Sequence, residues 1–283
     1  MSSCYDSSIQ DIRAVSCGNT SYWGVSIDSY PADSTSRIDN SNHLTIGSIE
    51  PHDCYDKSLN SAPASSFIGH IHEERTFVTD TSTWSSATIS TNGFGWTNTI
   101  LAGDWTNYGC VLIYPDSPTA ANHVVTVVSS QVAINTLRSA GNVGIHFSYT
   151  NPKRGIAIGT LDVTYKLYVT EDVYGKIAHC QVTGDDSVVT ILKGGLNFGS
   201  MNVPGASSTL TASGCVFEYI KAVTATLSYS TVLNGGFTTL NTSTACDISE
   251  IGAKTLVMGG SRNSLKNAYI SGTSTFSGDG DVS

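Results

Sequence analysis

Charged side chains are scarce in this 283-residue chain, where they make up 13% of the residues, against about 25% in an ordinary soluble domain. The 14 Lys and Arg residues are scattered, no basic run occurs, and the net charge is −9. A nucleic-acid groove needs clustered Lys and Arg to neutralise phosphates, so we expect no nucleic-acid partner. No apolar run reaches transmembrane length, so we also expect no membrane insertion.

Paired cysteines are missing as well. The seven cysteines are far apart and contain no CxxC pair, which argues against a disulfide framework or a zinc site. We expect free thiols that pack as small buried hydrophobes in a reducing compartment, and neither a metal nor another cofactor. They are Cys4, Cys17, Cys54, Cys110, Cys180, Cys215 and Cys246.

The N-terminus lacks the features of a secretory signal. The stretch from Met1 to Asp6 has neither a basic region nor an apolar region, so it does not resemble a signal peptide. Strand-like sequence begins almost at once, which predicts that the chain is part of a longer protein.

Helix-length segments are absent from residues 187–283, which consist of short apolar runs separated by Gly, Asn and Ser. The run Val188-Val189-Thr190-Ile191-Leu192 is typical, and Asn234-Gly235-Gly236 is a typical gap. Runs of this length, rich in β-branched and aromatic residues and bounded by turn residues, predict strands. We therefore predict an all-β fold, an irregular right-handed parallel β-helix with a β-rich C-terminal region. A β-sandwich or jelly-roll is the alternative.

The chain divides into three parts by composition. Residues 1–140 predict a β-helical body with long loops, 141–186 a β-rich connecting segment, and 187–283 a C-terminal ladder of short strands. Residues 124–128 form the most apolar run and predict a strand buried on both faces. Residues 131–140, which end at Gly141, predict the one short helix.

Two short segments and the ladder that follows them carry a family resemblance. They are Gly141-Asn142-Val143-Gly144-Ile145 and Lys166-Leu167-Tyr168-Val169, followed by the Ser-, Thr-, Gly- and Asn-rich ladder of 187–283. The chain resembles a bacteriophage tailspike or tail fibre protein, although His146 stands where the pattern has Gly. The resemblance implies a β-helical homotrimer that is assembled in the host cytoplasm and joins other tail proteins in the virion. It also implies that the protein recognises a host-surface polysaccharide and, in some members, cleaves it.

Acidic residues near two histidines are the candidates for catalysis. Glycan-cleaving tailspikes, which the chain resembles, use a pair of carboxylates. The candidates here are Glu73, Glu74, Asp53 and Asp104. Neighbours on a strand face opposite sides, so Glu73 and Glu74 cannot form that pair alone, and a partner such as Asp53 or Asp104 must come from another turn. The plainer interpretation is a solvated polar edge.

His70 and His72 have the spacing of two ligands on one strand face, with Ile71 and Glu73 on the other. Glu74 shares the histidine face, but no HExxH motif is present, and such pairs are more often structural. We predict no metal.

Aromatic residues concentrate between residues 84 and 108. Aromatic rings pack on the apolar faces of sugars, and neighbouring amides supply hydrogen bonds. We therefore place a glycan site on this Gly-rich stretch, although the rings could instead fill a core or a trimer interface. The predicted ligand-binding residues are Trp84, Trp96, Trp105, Tyr108, Asn98 and Asn107.

Three functions are compatible with these observations. The leading hypothesis is a virion tail spike or fibre component that binds host polysaccharide without cleaving it. The second is a polysaccharide-cleaving tailspike, either a glycoside hydrolase or a lyase. The third is a capsid, decoration or filament subunit that has no glycan site.

Overall fold

The structure of the protein, a computed structural model, describes residues 6–18, 23–28, 43–54, 58–74, 98–114, 123–129, 131–141, 143–149, 155–169, 172–277 and 281–282. These residues form 24 strands, and the described part of the chain contains no helix. In particular, none of its segments is a helix long and apolar enough to cross a membrane.

Long and short strands alternate over the first two thirds of the chain. The long strands are β1 (Ser8–Val15), β3 (Thr45–His52), β5 (Phe67–Glu74), β7 (Asn107–Tyr114), β9 (Ala133–Ser139), β11 (Ile156–Val163), β13 (Gly175–Val182) and β15 (Leu196–Val203). The strands between them are β2 (Val25–Asp28), β4 (Leu59–Ala62), β6 (Thr99–Leu101), β8 (His123–Ser129), β10 (Val143–Tyr149), β12 (Lys166–Val169), β14 (Val188–Ile191) and β16 (Thr209–Ser213).

The remaining strands follow at shorter intervals. They are β17 (Val216–Ser228), β18 (Thr231–Val232), β19 (Gly235–Thr242), β20 (Asp247–Ser249), β21 (Ile251–Met258), β22 (Ser264–Lys266), β23 (Tyr269–Phe276) and β24 (Asp281–Val282). The long β17 serves two columns of strands, because its first half pairs with β15 and its second half with β16.

Each strand pairs in parallel with the strand one turn later, so that β3 lies beside β5 and β5 beside β7. Every strand pair among the described residues is parallel. The predicted parallel β-helix is therefore confirmed. The sandwich alternative was wrong, because such sandwiches are built from antiparallel sheets.

The long strands bend in the middle, which gives each turn a corner. Gly69 occupies the bend of β5 and Gly109 that of β7, and the pairing register skips both residues. A Cβ added to Gly109 would lie 2.3 Å from the carbonyl oxygen of Gly69. The backbones therefore approach closely at this corner, where glycine fits without displacing its neighbour.

The bend sets the spacing of inward-facing residues. In β5, Ile68, Ile71 and Glu73 are buried, which is a spacing of three and then two positions. The residues at the bend both tilt outward, so strict alternation is broken once in each long strand. His70 and His72 share the outer face of β5, as predicted.

Apolar side chains stack along the interior, one from each turn. Phe198 and Phe217 show the geometry, with ring centroids 5.2 Å apart and an interplanar angle of 15°. The stack is built from residues that are at most 4% exposed, and it runs through Ile46, Ile68, Tyr108, Ile134, Ile158, Ile177, Phe198, Phe217, Val232, Ile248 and Leu265. Burial of this column, together with the other inward-facing apolar residues, stabilises the fold.

The helix predicted over 131–140 was wrong. These residues include β9, which pairs in parallel with β7 and β11. Ile134 and Leu137 point inward three positions apart because the strand bends between them, and that spacing resembles one turn of a helix. The strand predicted over residues 124–128 is confirmed, since all five side chains are at most 5% exposed.

Turns of the β-helix become shorter toward its C-terminal end. Phe67 lies beside Asn107, which is 40 residues further along the chain. Thr209 lies beside Thr224, which is 15 residues further along. The strand columns are nevertheless continuous from 1–140 through 141–186 into 187–283, and the three-part division remains a prediction.

The cysteines that the structure describes are free. Cys54, Cys180, Cys215 and Cys246 are buried, Cys110 is partly buried, and Cys17 is exposed. Burial raises the pKa of the Cys215 thiol to about 12. The buried thiols therefore stay protonated and pack as hydrophobes, as predicted.

Candidate functional site

One edge of the β-helix carries a column of residues in the left-handed conformation. His43, Ser65, Trp105 and Gln131 have φ values of 54°, 50°, 63° and 63°. Each stands two residues before a long strand, and these strands are paired in register, so the four residues occupy equivalent positions in successive turns. The conformation costs a non-glycine residue roughly 1–2 kcal/mol. We call this column the left-handed edge.

Backbone hydrogen bonds between turns hold the left-handed edge in place. The amide of Ser65 donates to the carbonyl oxygen of Asp104 at 2.7 Å, and the amide of Asn107 donates to that of Ser66 at 2.9 Å. These bonds hold the local conformation, so the side chains at the corner project from a rigid scaffold. Such a scaffold is a suitable platform for recognition.

Trp105 projects from this edge with 62% of its surface exposed. It lines a groove of about 340 Å³. The groove combines one large ring, two amide side chains and a floor of small residues, and its main lining residues are Trp105, Asn107, Gln131, Ala133, Gly155 and Ala157. We call it the Trp105 groove. An aromatic ring beside amides is the chemistry expected of a sugar-binding surface.

Two of the predicted ligand-binding residues lie inside the β-helix instead. Tyr108 is 2% exposed, and its hydroxyl is 2.7 and 2.8 Å from the carbonyl oxygens of Ser61 and Ala102. Burial raises its pKa. Asn98 is 6% exposed, and its Oδ1 accepts a hydrogen bond from the amide of Val124 at 2.7 Å. Both groups serve the interior and do not reach a surface ligand.

The other four predicted ligand-binding residues form two pairs. Trp105 and Asn107 are exposed on the groove. Trp84 and Trp96 lie outside the described residues.

The structure brings Asp53 and Glu74 together around a third residue, His52. The Nδ1 atom of His52 lies 2.8 Å from Oδ2 of Asp53, and its Nε2 atom lies 3.5 Å from Oε2 of Glu74. His52 and Glu74 are direct neighbours on β3 and β5. The backbone adds a hydrogen bond of 3.1 Å from the amide of Asp53 to the carbonyl oxygen of Glu74.

This arrangement, the His52 cluster, places two solvent-accessible carboxylates on one imidazole. Sequence reasoning identified both acids and the need for neighbouring turns, but it missed His52. The pairing of strand ends, which could have revealed it, depends on a register that the sequence does not show.

A strip of polar side chains continues from the His52 cluster across the same strands. The rings of His70 and His72 stack with centroids 5.9 Å apart, and His72 meets Tyr114 edge-on at 5.8 Å. One turn earlier, the hydroxyl of Ser48 donates to Oδ1 of Asp11 at 2.8 Å. Within the described residues, no three His, Cys, Asp or Glu side chains form a group that could hold a metal ion.

The remaining acidic candidates occupy different environments. Glu73 is fully buried, where its Oε1 atom lies 3.2 Å from Nε2 of His123 and its Oε2 atom accepts a hydrogen bond from Thr99. Burial lowers the pKa of His123, and the nearby Glu73 partly opposes this shift. Glu73 therefore cannot reach a surface substrate. Asp104 is partly exposed and precedes the start of β7, whereas His52 and Glu74 stand at the ends of β3 and β5.

Comparison with known proteins found one informative relative. No protein-family model matches the chain, and no solved structure matches it. The chain is 37% identical over 276 residues to a protein of Klebsiella phage KN4-1 described as a "Depolymerase, capsule KN4-specific". The match covers 97% of this chain and 32% of the relative, so the chain spans about a third of the relative's length. The expected resemblance to a bacteriophage tailspike or fibre is confirmed.

Proposed function

We propose that this chain is the β-helical part of a phage tail protein, carried in the virion, that binds the capsular polysaccharide of its host through the Trp105 groove. The observation that carries the proposal is the match of 97% of the chain to a capsule-specific phage depolymerase. The relative is about three times longer, so activity, substrate and partners are assigned to this chain only by the proposal.

The chemistry of the groove supports this function. A capsular polysaccharide presents rings with apolar faces and hydroxyl edges, and Trp105 with Asn107 and Gln131 offers a complementary surface. The rigid left-handed edge reduces the ordering that binding requires. A site of this kind needs neither a metal nor a basic patch.

Binding of purified Klebsiella capsular polysaccharides, including the KN4 type, tests the proposal. Trp105→Ala should weaken binding by at least tenfold and leave the melting temperature nearly unchanged, because the ring is mostly exposed. Tyr229→Ala is a matched control, since Tyr229 is 59% exposed and also has a positive φ. Full binding by the Trp105 variant, or no binding of any capsule by the unmodified protein, would refute the proposal.

A second candidate function is cleavage of the same polysaccharide at the His52 cluster. The name of the relative favours it, and so does the placement of Asp53 and Glu74 on one imidazole. In glycoside hydrolysis one carboxyl group protonates the leaving oxygen, while a second acts as base or nucleophile. Asp53 and Glu74 are the two groups proposed for these roles, and His52 would orient them.

Release of reducing ends from the bound capsule distinguishes cleavage from binding alone. Glu74→Gln and Asp53→Asn should each lower this release by at least a hundredfold while polysaccharide binding stays intact. Asp247→Asn, on an exposed strand position elsewhere, serves as the control. If the unmodified protein binds capsule but releases no ends, the protein functions in adhesion only.

The assembly state belongs to the proposal too. A homotrimer that joins other tail proteins is the arrangement that the resemblance to tailspikes implies. Light scattering of the purified chain should give three times the monomer mass, and a stable monomer would contradict this part of the proposal.

A further inference from the structure

We infer that the Trp105 groove is one end of a longer trough along the helix axis, which binds a linear oligosaccharide segment of about four sugars and ends at Tyr174. The inference rests on the proposed function, and it adds the far end of the site and the length and direction of the ligand.

The trough follows two columns of residues across four turns. Asn107 pairs with Ala133, Ala133 with Ala157, and Ala157 with Lys176. The second column stands two residues earlier in each turn and consists of Trp105, Gln131, Gly155 and Tyr174. Adjacent strands are about 4.8 Å apart, so the three steps from Trp105 to Tyr174 span roughly 14 Å.

Side-chain size changes along these columns as a trough requires. The two middle turns carry Ala133, Gly155 and Ala157, which leave the floor low, and Gln131, whose side-chain amide borders it. Within these four turns, large rings stand only at the ends, where Trp105 is 62% and Tyr174 is 47% exposed. An isolated exposed ring is unremarkable on a protein surface, but two exposed rings that bound a floor of small residues form a defined binding length.

The ring of Tyr174 packs against a glycine of the next turn. A Cβ added to Gly195, one turn further, would lie 2.1 Å from Cδ1 of Tyr174. The ring therefore rests over this glycine, which holds it at the end of the trough. Lys176 stands beside it, with its Nζ atom 3.6 Å from Oε1 of Glu218, and offers donors to sugar hydroxyls at this end.

These distances set the class of ligand. A sugar ring in a linear chain advances by about one strand spacing, so three steps of roughly 14 Å in total join about four rings. The terminal sugars would stack on Trp105 and Tyr174, and the two middle sugars would lie over Ala133 and Ala157. A monosaccharide can contact only one ring, so it should bind much more weakly.

The test uses fragments of one to six sugars, prepared from the capsular polysaccharide that the unmodified protein binds. Affinity should rise steeply up to about four sugars and then level off. Tyr174→Ala should lower the affinity for fragments of four or more sugars by at least tenfold and leave that for single sugars unchanged. Ala157→Trp fills the floor and should weaken binding of all the longer fragments.

Thr226→Trp is the control, because it adds the same ring at an exposed strand position outside the trough. Normal affinity of both Tyr174→Ala and Ala157→Trp, together with loss in Trp105→Ala, would overturn the trough while leaving the proposed function intact. Absence of binding to any fragment or capsule by the unmodified protein would overturn both.

Discussion

The buried contact among Glu73, Thr99 and His123 allows a sharp test of what holds the N-terminal turns together. Glu73 and His123 are both fully buried, 3.2 Å apart. The Nδ1 atom of His123 already has no hydrogen-bond partner. Glu73→Ile would remove the carboxylate partner of Nε2 and leave the buried imidazole only the Thr99 hydroxyl, which lies 3.4 Å from Nε2.

The cost of Glu73→Ile follows from these contacts. Burial lowers the pKa of His123, so the group left behind is a neutral imidazole, and leaving a buried polar group without its partner typically costs about 1–3 kcal/mol. The Thr99 hydroxyl keeps Ser58 at 3.0 Å, so its loss is partly compensated, and we expect a total of about 2 kcal/mol. The volume of an isoleucine side chain should fit at this position, because Ile113 occupies the position next to Glu73 on β7.

A triple variant separates pairing from shape. Val125 lies beside Thr99 and Val143 beside His123, so Glu73→Ile, Thr99→Val and His123→Val copy the neighbouring turns. Replacing all the polar partners with apolar groups is often neutral or stabilising, so the triple variant should recover to within about 1 kcal/mol of the unmodified protein.

Urea unfolding, combined with hydrogen exchange of the amides of β5 and β8, measures both variants. Exchange is needed because a solenoid can open locally without unfolding elsewhere. The reasoning fails if Glu73→Ile costs less than about 1 kcal/mol. It also fails if the triple variant is as unstable as the single one. The shape of the site, and not the loss of polar partners, would then determine the stability.

Two further predictions concern pH and the corner of the β-helix. Burial lowers the pKa of His146 to about 4, whereas an unfolded histidine titrates near 6.5, so stability should fall by about 3 kcal/mol as the pH drops from 6.5 to 4. Urea midpoints measured across this range should show the fall, and His146→Phe should reduce it; an unchanged slope would contradict the assignment. Gly109→Ala should destabilise the protein by about 1–3 kcal/mol, because its Cβ would lie 2.3 Å from the carbonyl oxygen of Gly69. Gly236→Ala, which meets nothing within 4 Å, should leave the thermal melting midpoint unchanged.

Short β-branched runs separated by turn residues predicted the strands correctly, because a strand of this helix needs only a few apolar residues. Residues 188–191 and 251–258 show this directly. The bend within each long strand was harder to recognise. It places Ile134 and Leu137 three positions apart on the inner side, and in a sequence that spacing predicts a helix.

The candidate site was only partly visible for a related reason. The exposure of Trp105 and the burial of Tyr108 depend on which side of the strand each residue faces, and the composition of 84–108 carries no such information. Gln131 and Gly155 lie beside Trp105 because the intervening turns have suitable lengths. The sequence has no fixed repeat from which those lengths could be read. Aligning the inward triplet Tyr108, Val111 and Ile113 with the equivalent residues of β9 would have supplied the register.

The shortening of the turns has a consequence for the order in which the helix assembles. The entropy lost on closing a loop grows as the logarithm of its length, so a 40-residue turn at Phe67 costs about 0.9 kcal/mol more to close than a 15-residue turn at Thr209. A solenoid grows by adding turns to a nucleus, and the least costly nucleus lies among the short C-terminal turns. Growth would then proceed toward the N-terminus, against the direction of synthesis. The long N-terminal turns, which are the more costly to close, are synthesised first. They would add to the helix only after the C-terminal turns have formed.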